Sequence, residues 1–370
     1  MTFPKRGGRA WAAMVVVGAV FAGCGGDDDG DDDAIEDAAA LDARGDGAIG
    51  PGTWTPLDPP PNGFADHVAV RLADGRVLVA GGGVGNAETA EAALFDPATT
   101  TWQAAPPMLR ARRAHAAALA ADGRVVVVGG LAAGAGLERC EYYEPAAERW
   151  VDAPPFVAPR HSVPATVLYD GRVFVTGGSV DVSAVPLSST WTLAGGWRQG
   201  PDLAFAQTRH EQLLLPDGSV LVAGNNSERF LPGDDAFTDD SLMIRTRRFF
   251  ALALVGAEAI AIGGEALGTT GALSSTERYD VTTAVWSSGQ PLLHARRNPT
   301  ATTLGDGTVL VVGGEDLGSG TAATTAERWN GARWTEAPAP PIAFTRHTAT
   351  LLADGSVLLV GPDGAALFEP

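Results

Sequence analysis

Cysteine is almost missing from this chain, whose 370 residues hold only Cys24 and Cys140. Two thiols so far apart build neither a disulfide framework nor a Cys-x-x-Cys metal site. Basic charge is scarce too: 26 Lys and Arg stand against 44 Asp and Glu, for a net charge of −18. Neutralising phosphates takes a basic patch, and none stands out, which argues against a nucleic-acid partner. The longest apolar run of the N-terminal segment, Ala10–Ala22, is too short to cross a bilayer. Local signatures of catalysis are missing as well. There is no Gly-x-Ser-x-Gly elbow, no His-Glu-x-x-His helix, no Walker loop and no Ser-x-Asp-x-Gly-x-x-Trp box.

Glycine and proline are plentiful instead, at 47 and 25 residues. They point to short elements and frequent turns. At the N-terminus, Lys5, Arg6 and Arg9 precede the apolar run, a charge-then-apolar order that suits an export signal. The run closes on Ala22-Gly23-Cys24. This ending resembles a bacterial lipoprotein signal, although Phe21 stands where that family usually has Leu. The resemblance implies removal of residues 1–23 and lipidation of Cys24. Gly25 in place of Asp then leans toward the outer membrane of the cell envelope. The lipid would be the only membrane contact, and several acyl chains hold where one is marginal, at about 0.8 kcal/mol per buried CH₂.

Residues 24–52 read as an acidic linker. Between 27 and 46 there are ten acids against Arg44 alone, so self-repulsion and low hydrophobicity leave nothing to fold around. No window there matches EF-hand ligand spacing.

From residue 53 a repeat takes over. "LADGRVLVAGG" at 72–82 returns as "LAADGRVVVVGG", "LYDGRVFVTGG", "LPDGSVLVAGN", "LGDGTVLVVGG" and "LADGSVLLVGP", with "LVGAEAIAIGG" at 254–264 a worn copy. The Asp of each Asp-Gly pair stands at 74, 122, 170, 217, 306 and 354, steps of 48, 48, 47, 89 and 48. A period near that length belongs to propellers and arrays. In each unit Asp-Gly makes a hairpin turn, an apolar strand buried on both faces runs to Gly-Gly, and two outer strands follow, the last closing on Trp. Four short antiparallel strands make one propeller blade.

The tryptophans indicate how the ring closes. Trp102, Trp150, Trp197, Trp286 and Trp334 end their blades, and Trp54 stands 48 residues ahead of Trp102. The fourth strand of the last blade is therefore expected from the N-terminal end, around Trp54, which leaves no open edge at the seam. All six should be blade-packing residues. The expected fold is all-β: a seven-bladed propeller of four-stranded antiparallel blades over residues 53–370.

The order Asp-Gly hairpin, apolar strand to Gly-Gly, aromatic-Asp-Pro and Trp resembles the Kelch repeat of galactose oxidase-like propellers. Enzymes of that kind hold copper with two Tyr and two His, one Tyr cross-linked to Cys. Here only Tyr142, Tyr143, Tyr169 and Tyr279 and the one spare thiol, Cys140, are available. Cys140 and Tyr142 sit two apart on one strand, poorly placed for such a group, so no cofactor and no metal site is expected.

The remaining signal is a set of cations at the start of the innermost strands. Arg113, His115, Arg160, His161, Arg209, His210, Arg248, Arg297, Arg346 and His347 ring one end of the channel, with His67, Arg112, Arg247 and Arg296 beside them. Two readings stay open. Arg forks suit carboxylate, phosphate or an acidic glycan. In the Kelch family, however, such Arg residues tie blades together through a Glu on the third strand, for which Glu91, Glu138, Glu228, Glu277 and Glu327 are the candidates. A feature repeated in every blade is architecture, whereas a site breaks symmetry. The expected role is a non-catalytic module, a monomer, binding a protein or glycan at the face of the variable Gly-Gly loops. The alternatives are a hydrolase or lyase at the channel mouth, or a structural surface protein.

Overall fold

A computed structural model describes residues 50–370 apart from 62, 85–86, 182–184, 239, 270 and 317–320. The signal segment, Cys24 and the acidic linker up to residue 49 lie outside the described residues. What remains forms seven four-stranded antiparallel sheets set around a channel. In the first blade the strands are Val68–Arg71, Val77–Ala80, Ala92–Asp96 and Thr101–Ala105, counted outward. The seventh blade takes Thr348–Leu351, Val357–Gly361 and Gly364–Glu369 from the C-terminal end and Thr53–Leu57 from the N-terminal one. Thr53 pairs with Glu369 and Leu57 with Ala365, so the two chain ends close the ring as one sheet.

Each Asp-Gly turn is built the same way. Asp74 Oδ1 accepts the Arg76 amide at 3.1 Å, while Gly75 takes φ +94°, a value open to glycine without steric cost. The worn copy differs because Val255 pairs directly with Glu258, leaving a two-residue turn of Gly256 and Ala257 with no place for the capping Asp. At the other end of the second strand, Gly-Gly is forced by contact. A Cβ on Gly81 would meet His115 Cε1 at 2.5 Å, and one on Gly82 the Ala65 carbonyl at 2.3 Å.

The core lies between blades. Val125–Val128, the run of four valines, shows no exposed surface and packs to both sides. Outside it, aromatic pairs repeat: Phe95–Trp102, Tyr143–Trp150, Tyr279–Trp286 and Trp54–Phe368 have ring centroids 5.0 to 5.2 Å apart. The indole N–H of each closing Trp then latches onto the preceding blade or its crossing. Trp54 donates to the Pro338 carbonyl at 2.7 Å, Trp102 to Asp58, Trp150 to Pro106, Trp197 to Pro154 and Trp334 to Gln290. Trp286 reaches the Ser227 hydroxyl instead. Trp150, Trp286 and Trp334 are buried, while Trp54, Trp102 and Trp197 are half-buried at the rim. In the fourth blade Phe237 takes the place of Trp and lies tilted against Phe230, 5.3 Å between ring centroids.

Candidate functional site

Just before each innermost strand the chain crosses from one blade to the next. One residue per crossing is left-handed, with φ between 45° and 55°: Asp66, Ala114, Ser162, Arg209, Phe249, Asn298 and Arg346. None is glycine, and left-handed backbone is costly for residues such as Phe and Arg. A belt of backbone hydrogen bonds holds it there. The amide of Ala114 donates to Asp66 O, Ser162 to Ala114 O, Arg209 to Ser162 O, Phe249 to Arg209 O, Asn298 to Phe249 O and Asp66 to Arg346 O, at 2.8 to 3.2 Å. The frame repeats, but the side chains on it do not. An acid, a methyl, a hydroxyl, a phenyl, an amide and two guanidinium groups surround one mouth. They rim a cavity of about 280 Å³.

The histidines sort differently from the sequence expectation. His67, His115, His210 and His347 directly follow the belt residue and are wedged between blades. The Nε2 atoms of His67, His210 and His347 lie 2.7 to 2.9 Å from the hydroxyls of Thr348, Thr176 and Thr300 on the preceding blade. Burial drives all four down to about 3, so they are neutral at physiological pH. They are joints of the ring. His161 is out of register with them: it precedes its belt residue, Ser162, and its Nε2 meets the Asp181 carbonyl at 2.9 Å.

The arginines also divide into two sets. Arg112, Arg247 and Arg296 are fully buried and bind Glu141, Glu277 and Glu327 at 2.6, 2.5 and 2.7 Å. The partner in the second blade is thus Glu141, not Glu138, because Glu141 faces inward opposite Val127 while Glu138 is exposed on the preceding loop. In the fourth blade Gln207 replaces Arg, and Glu228 holds the amides of Ala204 and Phe205. Glu91 is exposed, and in the first blade Ala93 holds the Glu position. Arg160, placed by sequence on the ligand face, is 1% exposed and belongs to this structural set. Trp191 occupies the Glu position of its blade, so Arg160 lies over the rings of Phe156 and Trp191 instead. Burial pulls its guanidinium down to about 10.

Arg113, Arg209, Arg248, Arg297 and Arg346 do reach the mouth side. Four of them are in ion pairs: Arg346 with Asp66 at 3.3 Å, Arg113 with Glu88 at 3.4 Å, Arg248 with Glu265, and Arg297 with Glu265 and Glu315. Arg209 has no ion pair among the described residues. It lies 4.8 Å over the Phe249 ring, whose centroid is 3.9 Å from Arg297. Two residues on, Glu211 faces the channel from the start of the fourth blade's inner strand. Glu211 is half-buried, and burial pushes its carboxyl up to about 8.

Sequence reasoning missed the belt and Glu211. Only position marks the belt in the sequence: the residue just before His67, His115, His210 and His347 sits at a fixed place in the repeat but is Asp, Ala, Arg and Arg in turn.

A Kelch motif matches residues 112–156 of the chain, the second blade. No curated protein sequence matches it. Among solved structures, it is similar to a fungal alcohol oxidase of the AA5 family in complex with copper, with 17% identity and a TM-score of 0.70 over 86% of this chain and 76% of that one. It is also similar to YjhT, with 13% identity and a TM-score of 0.60 over 76% of this chain and 99% of that one. At such identities the likeness is one of fold: the chain is a seven-bladed β-propeller carrying a Kelch motif. The donor set does not fit a copper–tyrosyl centre. Tyr142, Tyr143 and Tyr279 pack inside blades, Tyr169 is exposed at an Asp-Gly hairpin, Cys140 is buried, and burial raises its thiol to about 11. Among the described residues no three His, Cys, Asp or Glu converge as metal ligands.

Proposed function

We propose that this chain is a binding module that takes an anionic group of a protein or glycan at the channel mouth. The observation that carries this reading is the mouth itself: a rigid backbone belt bearing six kinds of side chain over seven positions, with Arg209 the guanidinium there that lacks an ion pair among the described residues. A partly desolvated guanidinium offers a planar fork to carboxylate or phosphate, and a belt fixed by hydrogen bonds needs little ordering on binding. The Kelch propeller is a fold used for binding, which agrees with this role.

The module would be displayed from the cell envelope by a lipid on Cys24. The geometry of the tether suits that display. The chain enters the propeller at Gly50, whose carbonyl accepts Arg328 Nη1 at 2.9 Å, and Arg328 pairs with Asp306 in an Asp-Gly hairpin. Gly50 therefore stands at the hairpin face, and the mouth would point away from an anchor on Cys24.

Screening the intact protein and an Arg209→Ser variant on arrays of acidic glycans and acidic peptides tests the reading. Ligands retained by the first and lost by the second support it. Ligands bound equally by both overturn it. One observation favours a hydrolase or lyase as the second reading. Glu211 holds its proton at neutral pH beside the mouth and could deliver it to a leaving group. Turnover of a bound ligand that Glu211→Gln abolishes without weakening binding would select that reading.

A further inference from the structure

Among the described residues, six of the eleven exposed large apolar side chains lie on one set of loops, while Tyr169, Val180, Val185, Leu267 and Val285 stand elsewhere. On the crossings between blades, Leu109, Val157, Phe205, Leu242, Ile244 and Leu293 are 44% to 66% exposed. They stand on five adjacent blades, the second to the sixth, and on the same face as the mouth. The two remaining crossings carry exposed Pro61 and Pro341 instead. Each knob is anchored by a buried neighbour: Met108 beside Leu109, Phe156 beside Val157, Leu203 near Phe205, Met243 between Leu242 and Ile244, and Leu292 beside Leu293.

The buried glutamates fix these knobs in place. Glu141 accepts the Leu109 amide at 2.7 Å, Glu228 the Phe205 amide at 3.1 Å, Glu277 the Ile244 amide at 2.8 Å and Glu327 the Leu293 amide at 2.7 Å. The Arg–Glu pairs that join blades therefore also hold an apolar arc out in water. An arc of this extent costs solubility unless something covers it.

We infer that the arc is the seat of a protein partner, an acidic segment with aliphatic side chains that lies across the rim while its acidic groups meet Arg209 and Arg245. The inference rests on the mouth reading and specifies its ligand as protein rather than glycan. Two features select that partner. The knobs are mainly aliphatic, and aliphatic side chains pack against protein, whereas sugars call for aromatic platforms. Arg245, next to Ile244, makes no ion pair among the described residues, and Arg209 lies just inside the arc. Their charge calls for an acidic partner. A second copy of this chain would set the same two cations against themselves.

The test is selection of a phage-displayed random dodecapeptide library on the intact protein. The selected peptides are then measured against Leu242→Ser/Ile244→Ser and Arg209→Ser, each first shown to melt as the parent does. The expected outcome is enrichment of acidic, aliphatic sequences that lose affinity about tenfold or more on the rim variant, since buried apolar anchors dominate such interfaces. Peptides that bind the rim variant as well as the parent but fail on Arg209→Ser overturn the arc and leave the mouth reading standing. Peptides indifferent to both variants overturn both. No enrichment overturns the arc, as does a sedimentation dimer that the rim variant abolishes, which would assign the face to self-association.

Discussion

Removing the carboxylate of Glu327 is the sharpest perturbation of the ring. Glu327 and Arg296 show no exposed surface, and one Glu327 oxygen accepts Arg296 Nη2 at 2.7 Å. The same carboxylate accepts the amides of Leu293 and His294 at 2.7 and 3.2 Å. Glu327→Ala therefore strands a buried guanidinium and two amides at once. Burial already pulls Arg296 below the ordinary guanidinium range, and the nearby Glu327 charge is what opposes it. Breaking a buried pair from one side costs about 3–5 kcal/mol. Arg296→Met with Glu327→Leu should cost much less, because both charges leave together. Urea unfolding followed by tryptophan fluorescence gives each value. A Glu327→Ala loss under about 1 kcal/mol, or a double variant as unstable as the single one, would refute the pairing as a structural joint.

Four further outcomes follow from the same geometry. Trp54→Ala should lower stability by about 2–3 kcal/mol, less than a fully buried Trp, because Trp54 is half-buried but loses both Phe368 and its Pro338 hydrogen bond. Deleting 53–57 should in addition expose the edge strand Gly364–Glu369 and promote aggregation, seen by light scattering. Acid should destabilise the ring: His67, His115, His210 and His347 fall from 6.5 to about 3 on folding, so between those values only the unfolded chain takes up their protons. Stability then drops as pH falls through that window, by about 1.4 kcal/mol per pH unit per histidine, visible as a shrinking urea midpoint. Glu211 has the opposite sign, since its carboxyl rises from 4.5 to about 8 and the folded chain holds the extra proton. Its contribution is lost as pH rises between those values, so Glu211→Gln should raise the midpoint at pH 9 and leave it nearly unchanged at pH 4.

The blade count, the hairpins and the closure through Trp54 were all legible in the sequence, because each depends on a residue type at a fixed place in the period. Asp-Gly caps its own turn, Gly-Gly clears a crossing backbone, and Trp reaches a neighbouring carbonyl. The site was less legible. Which Glu meets Arg112 depends on strand register: Glu141 opens the third strand, while Glu138, three residues earlier, lies on a loop whose length varies from blade to blade. Whether an arginine faces solvent or a neighbouring blade depends on a shift of one residue, as Arg112 and Arg113 show. The left-handed belt has no residue signature at all, since non-glycine residues are held there by hydrogen bonds to the adjoining blade.

The mouth and the hairpin face make opposite predictions for one binding measurement. Among the described residues Arg209 stands at the mouth without an ion pair, while Arg124 stands at an Asp-Gly hairpin, paired with Asp122 at 2.7 Å. A ligand recovered from the acidic glycan or peptide array should be titrated calorimetrically into the intact protein, Arg209→Ser and Arg124→Ser. Loss of a hydrogen bond to a charged group costs about 1.5–3 kcal/mol, so the first variant should bind about ten- to a hundredfold more weakly and the second as the parent does. Unchanged binding to Arg209→Ser together with a loss on Arg124→Ser would move the site to the hairpin face and contradict the account.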